Sequence, residues 1–180
     1  MYMNLPNLVE GQAYWPHLAI PNWNMNKTST FYEVNLAVSD DIFKMFKDAG
    51  FSHFFLNEPG TKTFTPDPVI KFATFATNQD GTVIDPPPFS NKDGKAMYKT
   101  SNGFADAPDE STERGSNGQP LRATAKDFRI GNGSTLAIEF EKYEYGKVNK
   151  VVRPKLKGVR VIDLIEYEPA DSQPQPAFAS

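Results

Sequence analysis

The sequence predicts a mainly β fold, a small closed or half-closed barrel that carries one helix. Three observations predict it. Roughly five or six stretches show strand-like alternation, and turn residues separate them throughout the chain. One segment alone repeats its apolar residues at helical spacing. Aromatic residues reach 13%, led by fourteen Phe and seven Tyr, and that apolar area can drive a small β core. A β-sandwich of the same strands stays open at this point, because periodicity does not separate the two.

The first strand is expected over Gly11–Ile20, where Pro16 marks an edge position or a bend. The second is Phe31–Val38, in which Tyr32, Val34, Leu36 and Val38 alternate with Phe31, Glu33, Asn35 and Ala37. The helix follows at once. Ser39 can cap it, Asp40 and Asp41 suit its positive end, and Ile42, Met45, Phe46 and Ala49 line one face. Gly50 ends it. Val69–Thr77 reads as a central strand, rich in β-branched and aromatic residues.

Residues 78–130 form a long polar insertion, rich in Pro, Gly, Asn and Ser, with a short hairpin expected around Ala96–Tyr98. Two long strands close the domain, Ser134–Tyr145 and Lys155–Tyr167, joined by a basic loop over Gly146–Pro154. The expected organisation is one domain over residues 1–167, the 78–130 arm included, and a flexible tail over 168–180.

Composition excludes several classes. Cysteine is absent, so there is no disulfide framework and no thiol chemistry. No apolar run reaches the length of a membrane span, and Met1–Pro6 lacks the features of a signal peptide, so an intracellular setting is expected. His17 and His53 have no acidic or thiol neighbour at ligand spacing, which leaves no metal site to propose. No P-loop is present, and Gly131-Asn-Gly-Ser134 leads into a strand where a dinucleotide site needs a helix. No nucleophile elbow is found either. A non-enzymatic protein without a cofactor is therefore expected.

Charge is unevenly spread. Residues 121–160 hold 10 basic and 4 acidic side chains, within a chain whose net charge is −3. Single-stranded nucleic acid is held by such cations along a groove, with bases stacked on exposed aromatic faces. Lys71 and Phe75 share a strand face, opposite the more apolar Ile70 and Phe72. Tyr143 and Tyr145 share a face with Glu139 and Glu141, opposite Leu136, Ile138 and Phe140. A tyrosine among charges belongs at a wet surface. Trp15 falls opposite Tyr14, Leu18 and Ile20 if the first strand stays regular past Pro16. The expected stacking residues are Trp15, Phe75, Tyr143 and Tyr145. The expected phosphate contacts are Lys71, Arg122, Lys126, Arg129, Lys155 and Lys157.

Ile130-Gly-Asn-Gly-Ser134, an alternating strand, a Tyr-containing turn, a basic loop and then Leu156-Lys-Gly-Val-Arg-Val-Ile-Asp-Leu-Ile-Glu-Tyr167 follow one another. This order resembles the C-terminal half of phage single-stranded DNA-binding proteins. Gly11-Gln-Ala-Tyr-Trp15, then Phe31–Val38 and a helix, is similar to their N-terminal half. The resemblance covers roughly residues 9–78 and 121–167. It implies an OB-fold, a five-stranded Greek-key barrel with the helix after the second strand and a long inserted arm. It also implies single-stranded DNA as ligand with little sequence preference, a homodimer, and action in replication or recombination within the infected host cell. Replication proteins are the partners implied for the C-terminal tail. The tail departs from the family pattern: it is uncharged after Asp171, and its aromatic residue, Phe178, is not terminal. Without the family, Gly131 and Gly133 read as a turn or bulge at a strand entry, with Ser134 serving turn backbone groups. The alternative reading is a phage structural or interaction module that uses its aromatics on protein or sugar. A small hydrolase is a third, for which no local motif argues.

Overall fold

The computed structural model describes residues 7–23, 27–51, 55–56, 68–101, 103–105, 113–124 and 130–167. Its strands are β1 (Leu8–Trp23), β2 (Thr30–Ala37), β3 (Phe55–Leu56), β4 (Val69–Phe75) and β5 (Phe89–Ser90), then β6 (Tyr98–Thr100), β7 (Gly103–Ala105), β8 (Thr135–Tyr145) and β9 (Val151–Asp163). Helix α1 (Asp40–Asp48) lies between β2 and β3.

Strand β1 pairs antiparallel with both β2 and β8. Strand β2 pairs with β4, and β8 with β9. A parallel bridge from Ala73 to Lys155 then joins β4 to β9 and closes the ring. The circuit β1-β2-β4-β9-β8 is the closed five-stranded barrel of an OB-fold. Closure satisfies the edge groups that a small open sheet would leave unpaired. The barrel, and the helix after its second strand, are as the sequence predicts.

Alternation fills the barrel. Tyr32, Val34, Leu36, Ile70, Phe72, Leu136, Ile138, Leu156 and Val159 are all buried. The Tyr32 hydroxyl donates to the Ile84 carbonyl at 2.8 Å, and burial, with the Asp85 charge nearby, holds its pKa above the usual value. Helix α1 begins at Ser39, whose hydroxyl accepts the Ile42 N–H, and it lays Phe43 and Phe46 on the core. The Phe46 ring sits 4.9–5.9 Å from the rings of Phe51, Phe72 and Phe140. Burial of such a side chain contributes about 1.5–3 kcal/mol.

Two strands differ from expectation. The first runs from Leu8 to Trp23, longer than Gly11–Ile20, because it serves two partners in turn. Residues 8–12 pair with β8, and Gln12 onward with β2. Register shifts between Tyr14 and His17, where Trp15 takes φ +45°. Strand β9 starts at Val151, so Arg153 and Pro154 are strand residues and the basic loop shrinks to Gly146–Lys150. A proline is admitted where the ladder does not need its N–H. The cross-strand pairs Arg153–Tyr143 and Val151–Tyr145 carry the ladder past it.

The described part of the 78–130 arm is built of short pairings. Strand β5 adds to β9 in parallel, β6 and β7 form a hairpin, and bridges link Ser90 to Ala96 and Tyr98 to Arg122. Phe89 and Ala123 enter the same core as the barrel. Among the described residues no helix is long and apolar enough to cross a membrane, and no three metal-binding side chains cluster.

Candidate nucleic-acid interface

Around the barrel, its second and third strands are β2 and β4, and its fourth and fifth are β8 and β9. Alternation that turns Tyr32 and Val34 inward turns Phe31 and Glu33 outward. The same rule puts Phe75 and Lys71 outside on β4, Tyr143, Tyr145 and Glu141 outside on β8, and Arg153, Lys155 and Lys157 outside on β9.

These side chains converge on Arg153. Its guanidinium carbon lies 5.1 Å from the Tyr145 ring centroid, 5.4 Å from those of Tyr143 and Phe75, and 5.6 Å from that of Phe31. Phe31 and Phe75 are cross-strand partners with centroids 4.7 Å apart, and Tyr143 and Tyr145 stand 5.8 Å apart. One cation is thus held between two aromatic pairs. Each such cation–π contact is worth about 0.5–1 kcal/mol at an exposed site. Phe75 and Tyr145 keep 38% and 41% of their surface open, so their rings still face solvent. Lys155 also reaches the Tyr143 ring, at 5.8 Å.

Carboxylates border the cluster. Glu33 faces Lys71 at 3.8 Å, while Glu141 faces both Lys155 at 3.6 Å and Lys157 at 3.7 Å. Glu33 also accepts from Asn22, at 3.0 Å. The two Glu141 pairs are about half exposed and contribute about 0–1 kcal/mol each, so an incoming anion can displace them at low cost, whereas Glu33 is mostly buried.

The cluster has a defined place in the barrel. Phe31 opens β2 directly after the β1–β2 connection, and Tyr143, Tyr145 and Arg153 flank the β8–β9 connection. In an OB-fold these connections border the face formed by the second and third strands, which is where oligonucleotides bind. At the same two connections Trp23 is 57% and Val148 is 92% exposed.

Of the expected site residues, Phe75, Tyr143, Tyr145, Lys155, Lys157 and Lys71 are brought to this face. Trp15 stands apart, on the β1 bulge. Its backbone N–H donates to Asn132 Oδ1 at 2.7 Å, so the glycine-flanked turn holds its unusual backbone in place. The side chain is 43% exposed, but the bulge breaks the alternation that set it opposite Tyr14, Leu18 and Ile20. Arg122 sits on the arm, opposite Tyr98. Lys126 and Arg129 lie outside the described residues.

Sequence reasoning missed Phe31, Trp23 and Arg153. Phe31 had the signal used for the tyrosines, an aromatic ring alternating with Glu33 and Asn35. Arg153 carried only its share of the basic charge of residues 121–160, because Pro154 made its segment read as loop.

Comparison with protein-family models and with curated proteins finds no match to the sequence. Comparison with solved structures does. The chain matches gp2.5, a single-stranded DNA-binding protein encoded by bacteriophage T7, with TM-score 0.51 and 14% identity, over 96% of this chain and 99% of that one. A single-stranded DNA-binding protein from bacteriophage Enc34, solved in complex with single-stranded DNA, aligns with TM-score 0.49 and 13% identity, over 90% of this chain and 86% of that one. In fold, this chain is similar to the OB-fold single-stranded DNA-binding proteins of phages.

Proposed function

We propose that the protein binds single-stranded DNA without regard to sequence, coating and protecting it during phage DNA replication or recombination. One observation carries this reading. Two aromatic pairs surround Arg153 on the outer barrel face, between the two connections that border an OB-fold ligand cleft. Rings of this kind stack on any base, at about 1–3 kcal/mol each, and need no base-specific hydrogen bond. Lys71, Lys155 and Lys157 line the same face and suit the phosphates. The T7 protein that shares the fold is itself a single-stranded DNA-binding protein, which agrees with this.

The protein acts here by binding alone, with no catalytic step and no cofactor. The same reading has it work in the cytoplasm of the infected host, as a homodimer, and meet replication proteins through residues 168–180. Fluorescence anisotropy with a labelled oligo-dT of about thirty nucleotides tests the central claim, since one OB-fold occupies roughly 4–16 nucleotides. Affinity is expected to fall with salt at a log–log slope of about −0.7 for each phosphate neutralised, and excess duplex should not displace the strand. Absence of binding at low salt, or a slope near zero, would overturn it.

A further inference from the structure

The arm repeats, at a second place, the aromatic and basic combination of the barrel face. Phe89, Met97 and Ala123 turn toward the core, so their neighbours in the ladder turn outward. Tyr98 and Arg122 are those neighbours. They are direct cross-strand partners, bracketed by the hydrogen bonds from Lys99 N–H to Leu121 and from Ala123 N–H to Met97. That type of pair brings side chains closest together.

Lys92 and Lys95 stand exposed on the turn that follows β5. The turn is rigidly made. Asn91 Oδ1 accepts the N–H groups of Asp93 and Lys95, at 3.0 and 2.9 Å, and the Asn91 carbonyl accepts that of Gly94 at 2.9 Å. Gly94 has φ +83°, and a Cβ there would fall 2.8 Å from the Arg160 guanidinium. The turn therefore seats directly on Arg160 of β9. Asp93 is the one acid in it, so Lys92 and Lys95 leave the turn positive.

Strand β9 connects the two places. Arg153, Lys155 and Lys157 share its outer face, and the bulge opposite Glu139 and Phe140 keeps Arg160 on that side, since Leu156, Val159 and Val161 turn inward. Arg153 to Arg160 spans roughly 23 Å at ~3.3 Å per residue. The cations thus run from the aromatic cluster along β9 to the foot of the arm.

We infer that a nucleic-acid strand leaving the barrel cleft continues along β9 onto the arm, where Lys92, Lys95 and Arg122 hold phosphates and Tyr98 stacks on a base. This rests on the single-stranded DNA reading of the cleft. Oligonucleotide length separates the two claims, because a strand of about six nucleotides fills the barrel cleft alone and one of about twenty-four reaches the arm. The experiment is anisotropy at several salt concentrations with oligo-dT of both lengths, on the full chain and on the double variant Lys92→Gln/Lys95→Gln. The longer strand is expected to bind the variant several-fold more weakly, with its salt slope reduced by about 1.4 for two lost phosphate contacts. The shorter strand is expected to bind both proteins alike. Equal affinities and slopes for the longer strand would overturn the inference, as would equal losses at both lengths. Wild-type protein that binds neither strand would instead overturn the reading of the cleft. A second variant, Tyr98→Ala, should weaken the longer strand only, with its salt slope unchanged.

Discussion

The two ends of the β8–β9 ladder use their polar and aromatic residues in opposite ways. At the end where β8 begins, Ser134 is turned inward and paired. The Ser134 hydroxyl donates to the Gly131 carbonyl at 2.8 Å and accepts the Ile165 N–H at 2.9 Å, and the side chain is fully buried. A Cβ on Gly131 would be crowded, meeting the Ile165 and Glu166 carbonyl oxygens at 3.0–3.1 Å. At the end where β8 finishes, Tyr143 and Tyr145 lie on the outer face, with an arginine beside their rings. One end holds the chain together; the other presents surface. A single ladder can do both because the pleat sends alternate residues to opposite faces, and because each end meets a different neighbour.

The presenting end breaks first in binding. Replacing Tyr143 and Tyr145 together by Ala should lower single-stranded DNA affinity by about 2–6 kcal/mol, taking about 1–3 kcal/mol per stacked base. The thermal midpoint should move little, because both rings lie on the outer face of the barrel. Anisotropy and a melting curve on the same preparation check both halves of this statement. Unchanged affinity would remove the tyrosine pair from the site.

The sealing end should show the reverse. Ser134→Ala leaves the Ile165 N–H without its acceptor, while the Gly131 carbonyl keeps the Ser134 backbone N–H at 3.3 Å, and one buried polar group so orphaned costs about 1–3 kcal/mol. Stability in urea should fall by about that amount, with single-stranded DNA affinity unchanged in the remaining folded protein. A loss of affinity larger than the loss of folded fraction would mean that the seam reaches the ligand through Asn132, whose Oδ1 accepts the Trp15 backbone N–H.

Much of this contrast was legible in the sequence, and the reasons are specific. Alternation in β2, β4 and β8 assigned the inner faces correctly, because a two-residue period survives wherever one face is buried. The helix was legible from its cap and its acidic first turn. Gly131, Gly133 and Ser134 read correctly as a turn into a strand, with Gly133 at φ +89°. What escaped was convergence. Arg153 meets Phe31 and Phe75 only because β9 closes on β4 through a single parallel bridge, a contact between distant segments that no local pattern announces. The β1 bulge escaped for a related reason. Its register changes where β1 passes from one partner to the other, and Pro16 hints at a bend without giving its direction.

The smallest effect concerns the acids on the presenting face. Glu141 lies 3.6 Å from Lys155 and 3.7 Å from Lys157, so it occupies two cations that phosphates would use. All three side chains are about half exposed, which limits each pair to about 0–1 kcal/mol. Glu141→Gln keeps the shape and removes the charge. If the lysines meet phosphates, the variant should bind single-stranded DNA a few-fold more tightly at low salt. The gain should shrink as salt rises, since screening weakens repulsion between Glu141 and the incoming strand. Should the variant bind more weakly instead, Glu141 would be holding Lys155 and Lys157 in place for the ligand, and the acid would belong to the site as an organiser and not as a competitor.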